Sequence, residues 1–183
     1  MTAQLILLGG PAGSGKTTTA DAWATAQAVP TAHLNLDSVR GRFRSHLRQP
    51  HIAGWTPEVD WQYNLARRVV VAAVREYIDS GVTCIVDDGL LPTHPAISYE
   101  RWSEQLQGLP HRVVILLPTV EICLARNAQR PAGKRLADGL VRRFHGMSSK
   151  WIAADVPVID NSDLTVSDTV IAITDALSYG RGG

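Results

Sequence analysis

Residues 9–18 read GGPAGSGKTT, and their types and spacing define one chemistry. Gly10, Gly15, Lys16 and Thr17 satisfy G-x-x-x-x-G-K-[ST], a pattern met by chance on the order of 10⁻⁵ per position at ordinary residue frequencies. Glycines let backbone N–H groups point into a concavity, and a following helix adds its positive N-terminus. Such a loop holds a polyphosphate. Ala12, Gly13, Ser14 and Thr18 complete the cradle with Gly10 and Gly15. Lys16 is placed to reach the β- and γ-phosphates, and the Thr17 hydroxyl to ligate Mg²⁺. The implied ligands are ATP and Mg²⁺. The remaining question is where the terminal phosphoryl group goes.

Three further groups bear on that. Asp37, in HLNLDSVR, follows an apolar run and can orient an acceptor hydroxyl and take its proton. The same residue could instead, or also, cap the helix that follows. Arg40 lies one helical turn on and suits an anionic substrate or the transferring group. The run TCIVDD ends in Asp87 and Asp88, an apolar strand closed by carboxylates that resembles a metal-holding element. Successive extended side chains diverge. We assign Asp87 to the metal and Asp88 to the substrate, with turn capping as the other role for the second acid. Arg126, Arg130, Lys134 and Arg135 surround a Pro/Gly break, as expected of a mobile lid over about 127–137 that brings a cation to the transition state.

Alternating runs must position these groups. Strands are expected at 4–8, 32–36, 83–86, 113–117 and 156–159, short and nearly all apolar like strands covered on both faces. Helices are expected at 15–27, 61–80, 98–107, 137–151 and 167–177, with Ser167 as a cap. In the second, Trp61, Leu65, Val69, Ala73 and Tyr77 make a stripe read as core, with Val70, Val74 and Ile78 beside it. Trp151 is also read as core. The order is that of an open, doubly wound α/β domain, which binds ligands outside the C-terminal strand ends. Every polar group above falls at such an end.

Composition narrows the class. The chain has 183 residues, 45% hydrophobic and 19% charged, with a formal net charge of +1. One domain spanning 1–183 is expected. Cys84 and Cys123 sit in apolar runs and read as core thiols. No run is long enough to span a bilayer, the start has no basic leader, and a cytoplasmic location is expected. The tail 180–183 reads as frayed. The basic run from Arg40 to Arg48 contains only Phe43 as an aromatic, so no base-stacking platform is evident. His51, His94 and His111 show no metal-ligand spacing. Trp55, in a connector over 50–57, is a candidate wall of the acceptor pocket.

At the phosphate loop, Asp37, Asp87-Asp88, Glu100-Arg101-Trp102 and Arg126-Asn127-x-x-Arg130, the chain resembles the P-loop small-molecule kinase group. That group includes chloramphenicol phosphotransferase, shikimate and gluconate kinases, and the kinase domain of polynucleotide kinase. The resemblance implies a three-layer fold whose five-stranded parallel sheet has the order 2-3-1-4-5. It implies that Asp37 acts on the acceptor hydroxyl, that Arg126 contacts the nucleotide and that Arg130 contacts the transferring phosphate. It places the loop at Asn161 and Ser162 near the adenine. The expected activity is ATP-dependent phosphotransfer to a small-molecule hydroxyl. A 5′-hydroxyl polynucleotide kinase, suggested by the D-x-x-R spacing of Asp37 and Arg40, and a non-catalytic nucleotide-binding regulator are the alternatives. No N-K-x-D segment of a switch GTPase is present. Oligomeric state is not specified.

Overall fold

The computed structural model describes residues 3–50 and 54–179. The tail 180–183 and His51 lie outside them. In chain order the elements are β1 (Leu5–Gly9), α1 (Lys16–Thr25), β2 (Thr31–Asn35), α2 (Leu36–Arg40), α3 (Pro57–Asp79), β3 (Thr83–Asp87), α4 (Tyr99–Ser103), β4 (His111–Leu116), α5 (Val120–Ala128), α6 (Asp138–Ser148), β5 (Val158–Ile159) and α7 (Val166–Tyr179). Two 3₁₀ turns, Ala132–Lys134 and Ser149–Ala153, flank α6. The five strands form one parallel sheet in the order 2-3-1-4-5, the expected P-loop topology.

Burial on both faces explains the apolar strands β1 and β3 and the second half of β4, while the edge strands β2 and β5 are half-buried. Leu5, Leu7, Cys84 and Val86 face one core with Val70, Val74, Trp102 and Trp151. Ile6, Leu8, Ile85 and Val114 face the other, against Trp23 and Ile173. Each such large side chain contributes about 1.5–3 kcal/mol on burial. Cys84 and Cys123 are free and fully buried, and burial pushes both thiols up to about 11. They are core residues, as expected.

Two expectations are corrected. Trp61, Val69 and Tyr77 do not enter the core; they are 54%, 47% and 42% exposed. The buried side of α3 instead carries Val59, Gln62, Tyr63, Ala66, Arg67, Val70, Val71 and Val74. Two polar residues on the inner face disguised it. Arg67 is fully buried because its guanidinium donates to Ala96 O at 2.7 Å and Asn64 Oδ1 at 3.0 Å and sits over the Trp102 ring. Gln62 is satisfied by Arg48 N–H and His46 O. The second correction concerns α7. Ser167 lies within the helix, and the cap is made by Thr165, whose hydroxyl accepts from Asp168 N–H while Asp168 Oδ2 accepts from Thr165. That reciprocal pair satisfies two orphan donors.

The helix expected over 98–107 is regular only over Tyr99–Ser103. The basic run after Arg40 is not helical, and Arg42, Arg44 and Arg48 are exposed. Among the described residues no helix is long and apolar enough to cross a membrane.

Candidate active site

Strand register brings the chemistry together. Asp87 pairs with Leu8 of β1 on one side and with Asn35 of β2 on the other. The phosphate loop, Asp87 and the short helix α2 therefore rise from three successive strand ends. Two strand spacings, about 10 Å, separate the outer ones.

The loop's shape requires glycine. Gly13 has φ of 84°, and a Cβ there would collide with the Cys123 carbonyl. Gly15 has φ of 85° and precedes α1 as its N-cap. Lys16 opens α1, and its Nζ donates to Pro11 O at 3.3 Å. A cleft of about 320 Å³ begins at this loop, with Lys16, Thr17, Thr18, Arg126, Arg130 and Asn161 among its lining residues. Arg126 donates to Ser14 O and to Asn161 O, and Asn161 Nδ2 also donates to Ser14 O. Ser14 Oγ and Asn161 Oδ1 are buried and have no partner among the described residues. The glycine-lined cradle and the cationic walls fit a nucleoside triphosphate.

Asp87 is fully buried. Its Oδ2 accepts from Thr17 Oγ1 at 2.7 Å, His33 Nε2 lies 2.6 Å from Oδ1, and Asn35 Nδ2 donates to both oxygens. Burial pushes the Asp87 carboxyl up, but the His33 hydrogen bond, the Lys16 charge and the Thr17 and Asn35 bonds outweigh it, and the group ends below its ordinary value. Burial pulls His33 down, yet Asp87 and Asp21 raise it on balance. Thr17 and Asp87 present two adjacent hard oxygens, the donor type Mg²⁺ takes. Among the described residues no three His, Cys, Asp or Glu side chains gather as a cage. A cation here would complete its shell with phosphate oxygens and water.

Asn35 is the residue that sequence reasoning missed. While its Nδ2 holds Asp87, its Oδ1 accepts from Ser38 N–H at 2.7 Å and caps α2. The alternative reading of Asp37 as cap is thereby corrected: Asp37 is in the first turn, two positions past the cap. Its side chain is 72% exposed, 3.6 Å from Arg40 Nη2. One amide thus links the buried metal-type carboxylate to the helix that carries the open one. An Asn ending a strand before a helix is the sequence signal for such a cap.

Arg40 and Asp88 are more enclosed than their expected substrate roles suggest. Arg40 is 5% exposed; Nη1 donates to Arg48 O, Nη2 to Gln49 Oε1, and the guanidinium lies 4.5 Å over the Tyr63 ring. Asp88 Oδ1 accepts from Gly89 N–H at 2.7 Å and Oδ2 from Trp102 Nε1 at 2.8 Å. Trp55 is half-buried, 5.0 Å from the Tyr63 ring and 4.7 Å from His94.

Asp88 yields a pH prediction. Burial lifts its carboxyl to about 6, against the Trp102 indole, the Arg67 charge and the Gly89 amide. A folded-state pKa above the unfolded one contributes stability that is complete below about pH 4 and lost as pH rises through about 6. Asp88→Asn keeps an oxygen for Trp102 and removes the charge. Its stability relative to wild type should rise between pH 4 and pH 7.5, by an amount on the order of 1–3 kcal/mol. Thermal melts across that range check it; a pH-independent difference rejects it.

The family model described as an AAA domain (AAA_33) matches residues 5–146. No curated protein matches the sequence. Among solved structures, shikimate kinase from Acinetobacter baumannii in complex with shikimate is similar at 18% identity and TM-score 0.67, covering 100% of this chain and 97% of that one. An unliganded sugar kinase from Janibacter sp. is similar at 17% identity and TM-score 0.66, with 97% and 96% covered. A chain of the Pnkp1/Rnl/Hen1 RNA repair complex is similar at 16% identity and TM-score 0.63, over 83% of this chain and 46% of that one. At such identities these likenesses establish the fold.

Proposed function

This chain belongs to the AAA_33 family of AAA domains and has the P-loop kinase fold, and on that premise we propose that it transfers the γ-phosphate of ATP to a hydroxyl of a small-molecule acceptor. The observation that carries the proposal is the bonded line Thr17–Asp87–Asn35, which fixes the phosphate loop, a metal-type carboxylate and α2 as one unit with Asp37 open to solvent at its edge.

In this reading Lys16 leaves the Pro11 carbonyl for the outer phosphates. Thr17 and Asp87 would hold Mg²⁺, which supplies charge neutralisation on the phosphates. Asp37 accepts a hydrogen bond from the acceptor alcohol, aligns it and takes its proton. Arg126 clasps the nucleotide side of the loop, and Arg130 neutralises charge on the group in transit. The transition state is loose, so positioning and electrostatics do most of the work. We assign Arg40 and Asp88 to the acceptor side as fixed walls: Arg40 pins the loop at Arg48 and Gln49, and Asp88 pins Trp102.

A second reading has one observation in its favour. Exposed Trp61 lies edge-on to Phe43 with ring centroids 5.8 Å apart, beside exposed Arg42 and Arg44. Aromatic and cationic groups together suit an oligonucleotide acceptor. ATP consumption with a panel of hydroxylated metabolites, antibiotics and 5′-hydroxyl oligonucleotides tests both. Turnover with a small alcohol supports the first; salt-sensitive turnover only with oligonucleotides supports the second. ATP binding without turnover on any acceptor rejects both.

A further inference from the structure

Arg126 and Arg130 both line the cleft, and between them stands a residue with no role so far. Asn127 is 1% exposed at the end of α5. Its amide makes two hydrogen bonds to one residue across the lid. Nδ2 donates to Leu136 O at 2.8 Å, and Leu136 N–H donates to Oδ1 at 3.1 Å. Its own carbonyl accepts from Arg130 N–H at 3.1 Å. One buried residue therefore ties both ends of the segment that carries Arg130.

That segment has little else to hold it. Residues 131–135 are all exposed. Inside it are a 3₁₀ turn closed by Lys134 N–H to Pro131 O and a bond of 3.3 Å from Arg135 Nη2 to Arg130 O. A loop without its own core samples many closures, and a tie at its neck removes most of that freedom. Asn is suited to this: one amide offers a donor and an acceptor in a plane, matching the C=O and N–H of one residue. Alanine would leave the Leu136 groups unmatched beside a buried void.

We propose that Asn127 is a positioning residue for phosphoryl transfer, cinching residues 128–136 at their neck so that Arg130 is presented to the outermost phosphate of the bound nucleotide. The inference rests on the kinase reading above and adds a residue that touches neither nucleotide nor acceptor.

The test needs no acceptor. Affinities for Mg-ATP and Mg-ADP are measured by calorimetry on wild type, Asn127→Ala, Arg130→Ala and the double variant, with Tm recorded for each. Arg130 acts on the phosphate that ADP lacks. Asn127→Ala should therefore lower the ATP-over-ADP preference by about tenfold, the size of one charge-assisted contact, with ADP affinity held within about twofold. In the Arg130→Ala background it should lower the preference no further, because the two act as one unit. Asn127→Asp keeps the acceptor for Leu136 N–H but sets an oxygen against Leu136 O, so it should lower the preference as well; if Asn127→Ala does not fold, the aspartate variant carries the same comparison. Equal loss of ATP and ADP affinity, a loss that persists without Arg130, or a wild type with no ATP preference overturns the role of Asn127. A wild type that binds neither nucleotide instead overturns the kinase reading itself.

Discussion

Asp37→Asn is expected to lower kcat for phosphotransfer by about 10²–10⁴ and to leave ATP affinity within about twofold. The magnitude is that of a general base which also orients the attacking group. Its selectivity follows from position. Asp37 is not among the residues of the cleft beside the phosphate loop, and it bonds to none of them. The substitution should also spare the fold. The cap of α2 is Asn35, and the 3.6 Å pair with Arg40 has its acid 72% exposed, an arrangement that contributes little. Tm should shift by less than about 2 °C for a change of a few tenths of a kcal/mol. The measurement pairs steady-state kinetics on whichever acceptor the panel identifies with calorimetric ATP binding. Wild-type kcat in the variant would remove Asp37 from the mechanism. Loss of ATP affinity along with kcat would make it a structural residue of the nucleotide site.

The division between what was legible in the sequence and what was not follows the range of the interactions. The phosphate loop was legible because its function depends on contiguous backbone: glycines, a lysine and a hydroxyl at fixed offsets. β1, β3 and the second half of β4 were legible because burial on both faces writes a continuous apolar run, the edge strands β2 and β5 are only half-buried and weaker in pattern, and all five ends came within one or two residues, as boundaries do. Asp87 was legible as the polar stop of such a run. Asn35 was not, since a start of α2 at Leu36 instead of Ser38 moves the cap two residues, from Asp37 to Asn35, and hydropathy carries no such precision. The inner face of α3 failed for a different reason. Arg67 is buried only because Ala96, 29 residues on, offers a carbonyl, and Gln62 only because the Arg48 loop folds back to it. A pattern that sorts polar from apolar reads both as solvent-facing and turns the helix the wrong way, with Trp61 inside. Asn127 looks like any polar residue near a helix end until Leu136 is seen to return to it.

Lys16→Ala carries the other large expected effect: kcat/KM for ATP-dependent transfer should fall by about 10²–10³, the loss that follows removal of one preorganised donor to developing charge. Lys16 begins α1 directly after the left-handed Gly15, so the backbone that presents it is fixed while its side chain is free to exchange the Pro11 carbonyl for phosphate. Lys16→Arg should not rescue. A planar guanidinium needs more room than a compact ammonium, and the two are not interchangeable at a point-charge site. A second readout separates this electrostatic role from simple loss of packing. Burial raises the Asp87 carboxyl, and the Lys16 charge is, after the His33 bond, one of the influences that outweigh burial and hold it below its ordinary 3.8. A depressed carboxyl contributes stability that is present above its unfolded pKa and lost as pH falls through the folded one. Part of that contribution goes with the lysine. The variant should therefore melt lower than wild type at pH 7, and the gap should close below about pH 4 as Asp87 takes up its proton in both proteins. A gap that stays constant with pH would mean that Lys16 and Asp87 do not interact, and the phosphate loop and the metal-type carboxylate would then have to be treated as separate sites.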